Sequence, residues 1–215
     1  MLQRQIIENA AVGVGVIDSV DEMNLIHKPG VAAVIWRRQP QQEFQRWIDT
    51  LDPARLPEAR LVLQPTTVAS AVEHLFTISN MPVDEHRHFL VEDIATLARN
   101  FATVMGSPYL RLRLDVVTDN ACPKFHIDAV KARLLCTYRG LGTQYAVSPD
   151  GTEPDRVFSA PTGSAMILKG IKWPEPPRSG LLHRSPPIEG SGETRLLLVL
   201  DPVDEEAVSP DTLLN

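Results

Sequence analysis

Cysteine is scarce in this chain: Cys122 and Cys136 are the only two among 215 residues. A disulfide-stapled scaffold or a zinc ribbon needs more thiols in closer spacing, so both are excluded. Aromatic residues are also few, at 6%. There is no excess of basic charge: 21 Lys and Arg stand against 27 Asp and Glu, a net charge of −6. Electrostatic capture of nucleic acid needs the opposite balance. The small basic group Arg37 and Arg38, with His27 and Lys28 nearby, reads as a solvated edge. No apolar run approaches the ~20 residues of a membrane span, so no membrane is expected as a partner. The start, Met1-Leu2-Gln3-Arg4-Gln5, lacks a charged segment followed by an apolar one, so a reducing cytoplasm is the expected setting. Gly13-Val14-Gly15-Val16 lacks the third glycine and the following helix of a dinucleotide loop. No P-loop, nucleophile elbow or internal repeat is present.

What remains is an ordinary apolar content of 43%, enough for one folded domain. In the N-terminal half, Val31–Trp36 and Arg60–Leu63 read as strands, and Pro40–Leu51 and Thr67–Ile78 as helices. Val83–Met105 is the clearest helix, with Leu90, Ile94, Leu97, Phe101 and Val104 spaced by three and four and with Gly106 as its stop. Leu110, Leu112, Leu114 and Val116 alternate with Arg111, Arg113 and Asp115, the pattern of a half-buried strand. Further strands are expected at Arg133–Tyr138, Gln144–Val147, Arg156–Phe158, Ala165–Lys169, Leu181–His183 and Arg195–Leu200, with Gly- and Pro-bearing turns between them.

The chemistry concentrates in this second half. His126 and Asp128 stand two apart, a spacing that puts both on one side of a strand or extended turn and on diverging sides of a helix. Pro123 upstream argues against a helix. His183 follows at a distance, and Arg195 opens an otherwise apolar run. Two imidazoles and a carboxylate are the protein ligands of a non-haem Fe(II) facial triad, which leaves positions on the metal open. A guanidinium nearby can hold the far carboxylate of a keto-acid. Cys122, four residues before His126, offers a thiolate, and a thiolate in the ligand set favours Zn over Fe. Cys136 reads as a small core residue. His86 and His88 diverge on a helix start and read as surface histidines, and His74 as a helix residue with a local partner.

The order of HxD, a distal His and a basic residue resembles the Fe(II)/2-oxoglutarate-dependent oxygenases. The segments Gly163–Leu168, His183-Arg184-Ser185-Pro186 and Thr194–Leu200 look most similar to the phytanoyl-CoA-hydroxylase-like branch. The whole chain also resembles a bacterial family of unknown function, through His126–Asp128, Cys136–Gly140 and His183–Pro186. The resemblance implies a double-stranded β-helix (a cupin-like jelly roll) over 109–201; with the mainly helical part read over 1–108 packed on it and the acidic stretch over 202–215 as a flexible tail, an α+β protein is expected. It implies His126, Asp128 and His183 as metal ligands, Arg195 as the 2-oxoglutarate anchor, and Thr137 or Tyr138 as a hydroxyl donor to the same co-substrate. The proline-rich segment 171–180 is a candidate substrate lid, and Arg184 a second cation near the site. A non-catalytic cupin-like protein holding Zn or Fe for metal homeostasis is the alternative, because such barrels serve several functions.

Overall fold

Apolar residues recurring every three to four positions produce the longest element of the computed structural model, which describes residues 10–204. The elements run β1 (Ala10–Ala11), β2 (Gly13–Ile17), β3 (Val31–Trp36), α1 (Gln42–Thr50), β4 (Ala59–Leu63), α2 (Val68–Ile78), α3 (Glu85–Met105), β5 (Tyr109–Val117), β6 (Ala132–Arg139), β7 (Gln144–Val147), β8 (Phe158–Ser159), β9 (Ala165–Lys169), β10 (Arg178–Ser179), β11 (Leu181–Arg184) and β12 (Arg195–Val203). Helix α3 starts at Glu85, later than the apolar pattern alone indicates, because the Asp84 carboxylate accepts from Arg87 N at 2.9 Å and caps it. Gly106, at φ 62, ends the helix in the left-handed region. The eight-residue 3-10 helix Val20–His27, opened by a Ser19–Glu22 capping box, has too short a pattern to be read from periodicity.

A seven-stranded sheet in the order β2-β3-β9-β6-β12-β5-β4 forms the frame. It is antiparallel except where β2 runs parallel to β3. A second sheet, β11-β7-β8, lies over one face, and β1 pairs with β10. Strand β12 shows how sequence alternation divides the faces. Leu196, Leu198 and Leu200 enter the larger core with α3, while Leu197 and Val199 join a smaller cluster with Leu135, Met166 and Leu181. Burying each such side chain contributes about 1.5–3 kcal/mol. The metal-site candidates belong to the smaller side.

Two expectations change here. The described part of 1–108, from residue 10, is not a helical part set on a barrel: β2, β3 and β4 are strands of the main sheet, and β3 pairs directly with β9. One large cluster contains Ile94 and Phe101 beside Leu134, Ile167 and Leu198, so both halves share a core. The glycine-bearing segment Gly13–Ile17 is also a strand, parallel to β3. The tail also begins later than residue 202, because Pro202 and Val203 are still in β12; residues 205–215 lie outside the described residues. No helix among the described residues is long and apolar enough to cross a membrane.

Candidate metal centre

His126 and His183 are brought together by their own backbones. His126 N donates to His183 O at 3.1 Å, and His183 N donates to His126 O at 3.0 Å, a bridge that adds the HxD segment to the edge of β11. The segment is otherwise an extended turn, one of the two settings that the two-residue spacing of His126 and Asp128 allows. Residues 170–172 brace the turn: Ile171 N donates to Asp128 O at 2.9 Å and Lys172 N to Val130 O at 3.1 Å. Gly170 is required there, since a Cβ would sit 2.0 Å from Val130 O and 2.8 Å from Asp128 O. The first two residues of the proline-rich segment 171–180 are thus part of this brace, and none of the segment lines the cavity beside the triad.

Ligand atoms of His126, Asp128 and His183 lie within 4.8 Å of one another. His126 Nε2 is 3.6 Å from Asp128 Oδ1, and His183 Nε2 is 3.0 Å from Asp128 Oδ2. That second contact is not a hydrogen bond: Oδ2 is buried and receives no donor. A buried carboxylate oxygen without a donor costs free energy unless a cation completes it. His126 Nδ1 lies 2.8 Å from Lys124 O, and since a carbonyl only accepts, Nδ1 carries the proton and Nε2 presents a lone pair. A divalent cation fits these donors, and Cys122 is not among them. Its exposed thiol lines the same cavity while its carbonyl accepts from Ser185 N. The donor set is thus two imidazoles and one carboxylate, with no sulfur.

The three groups sit in different electrostatic settings. Burial lowers the pKa of His183 below its ordinary value and keeps the ring neutral, while the Asp128 carboxylate raises that of His126. Burial alone would raise Asp128, but its carboxyl is held well below the usual range, with the Arg133 guanidinium the neighbour whose charge does not depend on the state of the rings. Arg133 is the residue that sequence reading missed. Its Nη1 donates to Asp128 Oδ1 at 2.5 Å, and its Nε and Nη2 donate to Asp201 at 2.6 and 2.7 Å. Its alternation with Leu135 and Thr137 along β6 was the signal that could have placed it on the cavity face. Arg133→Gln should lower metal affinity by about 10- to 100-fold, the usual cost of losing a group that orients a ligand. It should also lower the melting temperature, because Asp201 is left buried without its partner. Metal titration and thermal melting of the same preparation check both effects.

Arg195 is 0% exposed. Its Nε donates to Leu141 O at 2.6 Å, Nη1 lies 3.4 Å from Ser185 Oγ, and Nη2 lies 3.3 Å from Thr137 Oγ1. No carboxylate reaches ion-pair distance of it among the described residues, and burial pushes its pKa down to about 10. Thr137 thus stands beside Arg195. Tyr138 does not: the next residue on a strand points to the opposite face, where its hydroxyl donates to Asp93 Oδ2 at 2.6 Å. Arg38 joins that pair through Asp93 and is a half-buried ion-pair partner instead of a solvated edge. Arg184 turns its guanidinium over the Phe125 ring, 4.3 Å from the centroid, and bonds Gln144. His86 packs near Trp47, and His74 and His88 are exposed; none joins the triad. A cavity of about 150 Å³ adjoins the triad, lined by His126, His183, Ser185, Leu135, Leu197 and Val199 among others.

The fold is similar to that of the dioxygenase for auxin oxidation from rice, with 11% identity and a TM-score of 0.51, covering 94% of this chain and 89% of that one. An oxidoreductase of the 2OG-Fe(II) oxygenase family from Burkholderia pseudomallei aligns at 15% identity and TM-score 0.46, covering 92% and 100%. A prolyl-4-hydroxylase from Pseudomonas putida aligns at 12% and 0.44, covering 86% and 98%. Curated protein sequences contain no match. Triad and Arg195 both fall within the segment, residues 18–201, over which the chain belongs to the family described as protein of unknown function (DUF1826).

Proposed function

We propose that the chain is a non-haem Fe(II)/2-oxoglutarate-dependent oxygenase of the double-stranded β-helix type, acting on a small molecule or side chain. The observation that carries this reading is Arg195, a wholly buried guanidinium with no carboxylate partner among the described residues, joined through Ser185 to the strand end that bears His183. A buried cation without a counter-ion costs several kcal/mol, and a dicarboxylate that reaches it removes that cost. When held by His126, Asp128 and His183, ferrous iron supplies dioxygen activation coupled to oxidative decarboxylation of the keto-acid.

The remaining roles belong to the protein. Arg195 holds the far carboxylate, and the Thr137 and Ser185 hydroxyls set its orientation. Arg133 keeps Asp128 ionised and aimed. Leu135, Leu197 and Val199 keep water from the reacting centre. The Cys122 thiol, which would have favoured zinc over iron, stands outside the ligand set.

The test is an anaerobic titration of the purified protein with Fe(II) and then 2-oxoglutarate. A visible charge-transfer band should appear on adding the keto-acid, and succinate should be released once oxygen is admitted. Binding of iron or zinc with no response to the keto-acid would instead favour the non-catalytic protein.

A further inference from the structure

Beyond the co-substrate, the cavity holds one cation whose hydrogen-bonding capacity is unused. Arg113 lines it, with a side chain only 21% exposed, and its Nε is buried without a partner. The nearest carboxylate oxygen, Asp115 Oδ2, is 3.9 Å from Nη1, too far for a hydrogen bond. Directly opposite on the edge strand β4 stands exposed Arg60, and like charges in that position repel. The other two cations of the cavity are engaged: Arg133 by two carboxylates, Arg184 by Gln144 and the Phe125 ring. Arg113 thus has only the long contact to Asp115 and no hydrogen-bond acceptor in its fork.

Its position separates it from Arg195. On β5, Arg113 pairs with Val199, whereas Arg195 pairs with Val117, four residues further along (117 − 113), or about 13 Å between backbone positions. The two guanidiniums therefore start from well-separated points along the strand pair. Between them the floor is apolar, formed by Leu197, Val199, Leu135 and Val117.

We infer that Arg113 anchors the substrate, and that the substrate is a small molecule with an apolar body and an anionic group, a carboxylate or a phosphate. A planar guanidinium takes either in a bidentate pair. The body lies over Leu197 and Val199 toward the triad, and exposed Arg60 adds attraction from the open edge. This rests on the oxygenase reading only in calling the bound molecule a substrate.

Saturation-transfer NMR with benzoate, phenyl phosphate and neutral benzamide tests it, on zinc-loaded protein with saturating 2-oxoglutarate and on metal-free protein. At least one anion should bind ten times or more tighter than benzamide, and the tighter of the two identifies the group. Arg113→Met should abolish that preference, and Arg113→Lys should keep part of it. Arg113→Glu should reject benzoate and gain benzylamine, a gain that a misfolded variant would not show. Equal binding of benzamide, undiminished anion binding by Arg113→Met, or loss of the Fe(II)–keto-acid band in that variant would overturn the inference. Failure of the oxygenase reading looks different: the wild type would give no such band, while Arg113-dependent anion binding persists.

Discussion

His183→Ala should leave the purified protein without a tightly held divalent metal. His183 supplies a neutral buried ring whose Nε2 lies 3.0 Å from Asp128 Oδ2. Removing it leaves two side-chain ligands, one of them on the half-exposed His126. Loss of an outer group costs about 10- to 100-fold in affinity, so loss of a ligand should cost at least roughly 100-fold. The substitution also opens space beside an already unsatisfied carboxylate oxygen, which favours water at the site. Elemental analysis after purification without chelators reads the result directly. His86→Ala is the control: that ring packs 5.6 Å from the Trp47 ring and has no part in the triad, so its metal content should match the wild type. Equal metal content in both variants would remove His183 from the ligand set.

Arg195→Met should abolish keto-acid binding while leaving metal content unchanged. Truncating one partner of a buried, hydrogen-bonded charge pair costs about 2–5 kcal/mol, a factor of at least tens in affinity. The same change should hold or raise the melting temperature of the protein without keto-acid. In the free protein Arg195 is fully buried and its burial disfavours the charged form; methionine fills similar volume without that cost. Opposite signs for the two readouts distinguish a binding residue kept at the expense of stability from a structural one. If Arg195→Met binds 2-oxoglutarate normally and melts several degrees lower, Arg195 is a structural residue and the oxygenase proposal loses its main support.

Much of the architecture could be read from local pattern. The 3.6-residue period of α3 and the alternation of β5 appear in the structure within two residues, and β12 continues three residues past its apolar run, to Val203. Local signals failed where the chain depends on distant partners. Gly13–Ile17 has weak strand propensity and becomes a strand because β3 pairs with it. The HxD segment carries strand-forming residues, yet it has only one bridge, to His183, and stays an extended turn. Arg133 and Arg113 looked like the polar half of ordinary strands; only the folded structure shows that one is hydrogen-bonded to two carboxylates and the other to none. Tyr138 and Thr137 were equal candidates until strand parity assigned them to opposite faces.

By itself the sequence determined the chemical types on offer: two imidazoles, a carboxylate and a strand-opening guanidinium in a set order, without thiol clusters, basic excess or membrane-length apolar runs. Residue type and short-range period are local properties, and they suffice for that. Tertiary structure alone decided which of those groups share a cavity and which already have partners. Convergence depends on pairing between strands far apart in the chain, and the state of a buried charge depends on what lies within a few ångströms of it, neither of which is encoded in spacing along the chain.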